Sequence, residues 1–237
     1  MNKENFEFLG EQLKYLGFGE DLKALLEQLL TEGQAAFQLP YKTLVNKIPF
    51  EAVLNFRRSD TTHTYFFNTY HASLSKASGE KPEQTFYINK GRGVTRKEAF
   101  NLLDGRAVLK DLFTKEGEPY KAWIQLDFEN KDKHNNFEVK HYYKNYGFDL
   151  KAAVEKFRVA DMEDPEKEKV LLQSLQKGNL QAVAIVMDGK AQTVFLAAEP
   201  RYKKINVYDA SMQLLTKDAL EQYKAAATAD LKEVKAS

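Results

Sequence analysis

The pattern of apolar and polar positions divides the chain into helices and strands. After a first helix predicted over 6–15, the leucines between residues 22 and 30 recur at helical spacing, and Gly33 follows as a stop. Over 50–57, in contrast, apolar residues alternate with mostly polar ones, which predicts a strand with one buried face. The two periodicities therefore place helices before the first strands.

The rest of the chain continues in the same way. Thr95 and Glu98 form the sequence signature of a capping box, whereas Asp149, Asp164-Pro165 and Thr216 each open a further helix. Segment 108–113 is either a strand or a helical turn. Strands are predicted over 36–45, 50–57, 63–74, 86–88, 120–128, 137–143, 181–187, 192–198 and 204–208, with a tight turn at Asp188-Gly189. Antiparallel strand clusters separated by groups of helices predict an α+β fold.

Two phrases of the sequence are echoed. Gly17-Phe18 and Gly147-Phe148 each open a helix, and Tyr70–Leu74 and Tyr208–Met212 each end the last of three strand-like runs. Such repetition is an architectural signal. We predict two related helix-plus-antiparallel-meander lobes with a helix-and-hairpin segment between them. We divide the chain into residues 1–78 and 79–237, because segment 75–84 is polar and contains Gly79 and Pro82. The alternative is that the two lobes form one continuous domain.

The composition of the chain excludes only a few classes of function. Lysine and arginine number 35 against 34 acidic residues, so the net charge is +1 and no global field favours nucleic acid or an anionic membrane. The chain has no cysteine, which excludes disulfides and thiolate chemistry and fits a reducing compartment. No apolar run reaches the length of a membrane span, and no signal core is present. We expect a cytoplasmic protein without membrane contact.

A glycine-rich helix start is the first candidate site. The stretch 89–97 places two glycines and four cationic residues before a helix, where backbone N–H groups and the helix dipole favour an anion such as phosphate. It matches neither a Walker loop nor a Rossmann fingerprint. The alternative is a turn that caps a helix and leaves its basic side chains in solvent.

Aromatic residues interleaved with cations form a second candidate. Stacking rings and cations are the means by which proteins hold single-stranded nucleic acid, but strand aromatics also serve as core packing. The rings are Tyr65, Phe66, Phe67, Tyr70, Tyr142, Tyr143 and Tyr146, with Arg57, Arg58, Lys140, His141 and Lys144 as cationic neighbours. Across both candidates, the predicted anion or nucleic-acid contacts are Arg57, Arg58, Lys90, Gly91, Arg92, Gly93, Thr95, Arg96, Tyr142 and Lys144.

The hairpin over 120–143 carries an alternative catalytic set. Asp127, Glu138 and Lys140 have a spacing similar to nucleases whose core is Asp…(Asp/Glu)-x-Lys, in which carboxylates hold Mg²⁺ and activate water. The same residue types are common on the wet face of any hairpin. The four histidines lack helical metal-ligand spacing, and no Gly-x-Ser-x-Gly elbow occurs. We therefore predict no metal site, no cofactor and no catalytic residue in the leading interpretation.

Several phrases resemble a domain family of gut Bacteroidetes. They are Gln84–Thr95, Glu98–Arg106, Lys121–Phe128 and Ile205–Asp209, and the resemblance covers about residues 13–223. Members of that family occur on conjugative and other mobile elements, and some are linked by name to topoisomerase I. No nucleophilic tyrosine setting, acidic cluster or zinc ribbon of that enzyme is recognisable here. The resemblance implies an accessory role in mobile DNA, with protein or nucleic acid as partner.

The leading hypothesis is a non-enzymatic interaction module. It binds a protein or a nucleic acid through aromatic-basic sheet faces and the glycine-rich helix start. A metal-dependent nuclease and a protein-only inhibitor or assembly factor are the alternatives. The sequence leaves the oligomeric state and the identity of the partner open.

Overall fold

The computed structural model describes residues 2–88, 93–114, 116–157, 159–187 and 190–220. Its strands are β1 (Ala36–Val45), β2 (Ile48–Arg58), β3 (Tyr65–Leu74), β4 (Glu83–Tyr87), β5 (Val108–Phe113), β6 (Pro119–Lys131), β7 (Phe137–Tyr143), β8 (Gln181–Met187), β9 (Lys190–Glu199) and β10 (Lys204–Tyr208). Its helices are α1 (Lys3–Tyr15), α2 (Lys23–Glu32), α3 (Arg96–Leu103), α4 (Leu150–Val154) and α5 (Pro165–Gln176). The strands form three antiparallel sheets, in the orders β1-β2-β3-β4, β5-β6-β7 and β10-β9-β8. The predicted α+β class with antiparallel meanders is confirmed.

Most element boundaries follow the predicted ones. The capping box of α3 forms as predicted, since Thr95 accepts from the Glu98 amide and the Glu98 carboxylate accepts from the Thr95 amide. The ambiguous segment 108–113 is a strand, paired with β6. Helix α4 ends at Val154, three residues short of the predicted end at residue 157. Thr216 caps a helical turn that begins at Lys217. The predicted turn at Asp188-Gly189 lies outside the described residues.

The chain divides into two compact units. The first comprises Met1–Asp104 and Asp127–Glu138, and the second comprises Gly105–Leu126 and Val139–Ser237. The predicted boundary at residue 78 therefore falls inside the first unit. The polar segment after β3 is a turn between neighbouring strands, in which Leu74 N–H donates to Pro82 and Lys76 N–H to Glu80. Glycine and proline mark tight turns as well as linkers, and here they belong to a turn between two paired strands.

The core of the first unit is built from rings stacked across strands. Phe37, Phe56 and Phe67 face one another on β1, β2 and β3, with successive centroids 4.9 and 4.8 Å apart. Tyr70 lies next along β3, fully buried, and stacks on Phe86 of β4. Since large rings bury more apolar area than aliphatic side chains, this ladder contributes a large packing surface to the four-stranded sheet.

The core of the second unit is mostly aliphatic. Helices α4 and α5 pack against the β8–β10 sheet, and Trp123 of β6 joins the same cluster. Buried members from the helices and strands are Val154, Leu171, Leu175, Ile185, Val194, Leu196 and Val207.

The repeated phrases agree only at their beginnings. Gly17 and Gly147 both follow a helical segment with positive φ, at 83° and 79°, a conformation that glycine adopts without strain. The second phrases differ, because Tyr70–Leu74 ends β3 whereas the residues after Tyr208 form a turn around the Asp209 carboxylate. A deeper relationship between the two lobes stays a prediction.

None of the helices in the described ranges is both long enough and apolar enough to cross a membrane.

Candidate nucleic-acid interface

Three aromatic residues of β3 belong to the core. Tyr65, Phe67 and Tyr70 are all less than a tenth exposed, and the Tyr70 hydroxyl donates to the Val94 carbonyl at 2.6 Å. Burial raises the pKa of Tyr70 well above its usual range, because the phenolate would lose its hydration. Only Phe66, at 48% exposed, faces solvent. For β3, therefore, core packing is the correct interpretation of the aromatic pattern.

Two of the predicted anion-binding arginines hold helix ends. Arg58 donates from a terminal guanidinium nitrogen to the carbonyl of Gly33, which ends α2, at 3.0 Å. Arg96 donates from Nε to the carbonyl of Gly17, which follows α1, at 2.7 Å. A helix C-terminus carries partial negative charge, so each cation is stabilised there. Arg57, in contrast, is exposed.

The described part of the glycine-rich helix start has structural roles. A Cβ on Gly93 would lie 2.6 Å from Ile88 Cδ1 and 3.0 Å from the Tyr87 carbonyl oxygen, so glycine is needed for this close approach. Thr95 and Glu98 form the capping box, which places a carboxylate at the start of α3, where an anion would otherwise bind. Lys90, Gly91 and Arg92 lie outside the described residues. Anion binding by this segment stays a prediction.

The residues of the nuclease hypothesis differ in environment. Asp127 is 7% exposed, and its carboxylate accepts from the Glu129 amide at 3.2 Å and from Asn130 Nδ2 at 2.9 Å. Glu138 and Lys140 are exposed. Within the described ranges, no group of three or more histidine and acidic side chains is placed to hold a metal ion. Asp127 thus organises the backbone of β6, and its catalytic role stays a prediction.

Two tight turns of the second unit bring aromatic and cationic side chains together. After β7, residues Lys144–Tyr146 form a 3-10 turn that ends at Gly147. After β9, residues Pro200–Tyr202 form another, and Lys203 adopts φ 51° before β10 begins. The Tyr146 hydroxyl donates to the carbonyl of Arg201 at 2.7 Å and joins the two turns.

We name the resulting surface the tyrosine–lysine patch. Its members are Tyr142, Lys144, Tyr146, Arg201, Tyr202, Lys203 and Lys204. Tyr142 and Tyr146 have ring centroids 5.0 Å apart, and Lys203 Nζ lies 4.7 Å from the Tyr146 centroid. Arg201 Cζ and Lys204 Nζ lie 5.4 and 5.7 Å from the Tyr202 ring. Tyr202 is 63% exposed, so its ring is accessible to a partner.

A smaller group of rings lies on the opposite side of β7. Tyr143 packs against Tyr120 of β6 at 5.6 Å and stacks with His141 at 6.2 Å. Partial burial, and then the neighbouring Tyr143, raise the pKa of Tyr120. Tyr143 is 49% exposed, so β7 presents a ring on this side as well.

A buried carboxylate directly precedes the second turn. Glu199 is 9% exposed, and its Oε2 accepts from Asn206 Nδ2 at 3.2 Å and from Gln125 Nε2 at 3.5 Å. Burial raises the pKa of Glu199, against the opposing effect of these two donors and of Lys204 and Arg201. Glu199 Oε1 and Gln125 Oε1 are two of the three buried side-chain polar atoms without a hydrogen-bond partner among the described residues. The ionised form of Glu199 is therefore costly in this fold.

Of the predicted contacts, Tyr142 lies in the patch through its ring contact with Tyr146, and Lys144 begins the turn that carries Tyr146. The sequence interpretation missed Arg201, Tyr202, Lys203 and Lys204. Their signal was the run Pro200-Arg201-Tyr202-Lys203-Lys204 between two strands, in which one ring is surrounded by three cations. Its nearness to Tyr146 depends on a contact 55 residues away in sequence, which no local pattern reveals.

Comparison with known proteins identifies no relative of this chain. No family model, no curated protein and no solved structure matches this chain. The resemblance to the Bacteroidetes domain family therefore stays a prediction.

Proposed function

We propose that this chain is a non-enzymatic interaction module that binds single-stranded nucleic acid through the tyrosine–lysine patch. The observation that carries the proposal is the exposed Tyr202 ring between Arg201 and Lys204, next to the Lys203–Tyr146 pair. Rings that accept stacked bases, flanked by cations that neutralise phosphates, are the elements by which single strands are bound.

The rings and cations are free to exchange partners. An exposed cation–π contact contributes only ~0.5–1 kcal/mol. Stacking of a base on an aromatic side chain contributes ~1–3 kcal/mol. A base can therefore displace a lysine or arginine from a ring face, and the released cation can then reach a phosphate. The hydrogen bond from Tyr146 to Arg201 keeps the two turns together and lowers the entropy lost on binding.

A nucleic acid suits this surface better than an acidic protein does. Four of the seven patch residues are cationic, whereas the chain as a whole has a net charge of only +1. The remaining three are tyrosines, and a peptide that supplied carboxylates alone would leave those rings unused. The role in a mobile genetic element is supported only by the sequence resemblance, and cytoplasmic location only by the lack of cysteine.

Fluorescence anisotropy with a labelled oligothymidylate at two salt concentrations tests the proposal. We expect Tyr202→Ala to weaken binding at least ~5-fold, because one stacking platform is lost. Lys203→Gly keeps the positive φ of this position and should lower the salt-dependence slope by about 0.7 for one lost phosphate contact.

Matched variants locate the effect. Tyr15→Ala removes an exposed tyrosine of the first unit, and Lys156→Ala removes an exposed lysine of the second, both outside the patch. Both should bind like the wild type. Flat anisotropy with single strands at low salt, or equal affinity of the Tyr202 variant and the wild type, would overturn the proposal and leave a protein as the partner.

A further inference from the structure

A polar pocket lies in the first unit, and its lining residues fall between Asn2 and Tyr65 in the sequence. It has a volume of about 330 Å³, within the range of small-molecule sites. Its walls come from the start of α1, the end of α2, and the loop between β2 and β3. The lining includes Asn2, Thr31, Arg58, Thr62 and His63.

The chemistry of this pocket favours an anion. Arg58 supplies a permanent positive charge, His63 an imidazole, and Asn2 and Thr62 polar hydrogen-bonding groups. Among the described residues that line the pocket, none is a carboxylate. A cation would therefore be repelled by Arg58 with no carboxylate in the lining to offset the repulsion, whereas an oxyanion would be attracted by Arg58.

Arg58 is oriented before any ligand arrives. One of its five N–H groups donates to the Gly33 carbonyl at 3.0 Å, and Gly33 itself lines the pocket. Because the guanidinium is planar, this bond restricts the directions in which its other N–H groups can point. Fork-shaped donation to two oxygens is the geometry by which arginine recognises phosphate.

His63 is held in an uncommon backbone conformation. Its φ is 55°, a region that non-glycine residues seldom adopt, and its amide donates to the Ser59 carbonyl at 3.0 Å. The Ser59 hydroxyl accepts from the amides of Thr61 and Thr62 and shapes the same loop. The loop thus places an imidazole at the pocket, at a position where glycine would be less strained.

We propose that this pocket binds the phosphate group of a small phosphomonoester, with Arg58 and His63 as its principal contacts. The volume leaves room for the group that carries the phosphate. The pocket shares no lining residue with the tyrosine–lysine patch, so the proposal does not depend on the patch. Inorganic phosphate and a nucleoside 5′-monophosphate share the recognised group and differ in the rest of the molecule.

Amide chemical-shift titration of the full chain tests the site. Inorganic phosphate and a nucleoside 5′-monophosphate should produce saturable shifts at Gly33 and His63, whereas the nucleoside and chloride at matched ionic strength should not. Tighter binding of the monophosphate than of inorganic phosphate would identify a phosphorylated metabolite as the ligand, and equal binding would identify free phosphate.

Adjacent arginines provide the control. Arg58→Gln should weaken phosphate binding at least ~10-fold, because a charge-assisted hydrogen bond is lost. Arg57→Gln should bind normally, since Arg57 is exposed and is not among the described lining residues. If Arg58→Gln does not fold, His63→Gly tests the site instead, because glycine adopts φ 55° without strain. This variant should keep its melting temperature and bind phosphate more weakly. Absence of saturable shifts, or equal losses in the Arg57 and Arg58 variants, would overturn the proposal.

Discussion

Arg106 donates a hydrogen bond of 2.8 Å from its guanidinium to the carbonyl oxygen of Gly178, the glycine that follows α5. The guanidinium of Arg58 likewise donates to the carbonyl of Gly33 after α2, and that of Arg96 donates to the carbonyl of Gly17 after α1. Each acceptor is a glycine with positive φ that ends a helix. Three helix ends are therefore tied to distant parts of their own unit by an arginine at the negative end of the helix dipole.

The buried arginine gives the first prediction. Replacing Arg106 with glutamine should lower the free energy of unfolding of the second unit by about 2 kcal/mol, because a charged hydrogen bond to a buried carbonyl is lost. Urea unfolding followed by circular dichroism measures the change. Arg57→Gln, at an exposed site in the first unit, is the control, and equal midpoints for the two variants would contradict the assignment.

The stacked rings of the first unit give a second prediction. Phe67 is buried against Phe56, whereas its neighbour Phe66 points to solvent. Phe67→Ala should reduce the free energy of unfolding by ~3–5 kcal/mol, since a large buried ring is removed. Phe66→Ala should change it by less than ~0.5 kcal/mol. Thermal unfolding of both proteins tests this, and similar melting temperatures would be incompatible with the observed faces of β3.

Glu199 predicts a dependence of stability on pH. The pKa of Glu199 is raised in the fold from its ordinary value of 4.5, so the native state binds its proton more tightly than the unfolded chain does. The stability that the native state gains from binding this proton more tightly is fully present below pH 4.5. It is lost as the pH rises through the pKa of Glu199 in the fold. Glu199→Gln should therefore be more stable than the wild type at neutral pH, and the advantage should shrink in acid. Melting temperatures across pH measure it.

The exposed residue Glu163 offers a matched control for that experiment. Glu163→Gln should leave the pH profile of the melting temperature unchanged. If Glu199→Gln is less stable than the wild type at neutral pH, the ionised carboxylate is stabilised in the fold and the account of its burial is wrong.

The nuclease alternative has a direct test. A non-enzymatic module should leave plasmid DNA intact in the presence of Mg²⁺ or Mn²⁺. The buried Asp127 carboxylate instead accepts hydrogen bonds from the Glu129 amide and the Asn130 side chain within β6, so Asp127→Ala should lower the melting temperature. Gel electrophoresis after incubation measures cleavage. Cutting by the wild type that disappears in a folded Asp127 variant would establish the enzyme.

Local signals predicted the elements of this fold well. The alternation in β2, the capping box at Thr95 and the N-caps at Asp149 and Asp164 all depend on neighbours within about four residues, and all are confirmed. Strand-forming aromatics were ambiguous because a ring on β3 and a ring after β7 have the same local pattern. Tyr70 is buried in its core, whereas Tyr146 lies at the surface, and this difference depends on the packing of each whole unit.

The candidate site could be predicted only in part. Tyr142 and Lys144 were predicted from the sequence, but no local pattern indicated that Arg58 and Arg96 bind the ends of helices. Their partners are carbonyls 25 and 79 residues away in the chain, and the patch likewise depends on a distant contact between two turns. Pairings of this kind are set by tertiary packing, which explains why local sequence patterns missed Arg201–Lys204.

Amide chemical-shift mapping with an unlabelled oligothymidylate shows where a single strand binds. We expect the largest shifts on residues 142–147 and 200–204, and we expect them to diminish as salt is added. Shifts confined to other parts of the second unit, or to the first unit, would show that the tyrosine–lysine patch is not the binding surface.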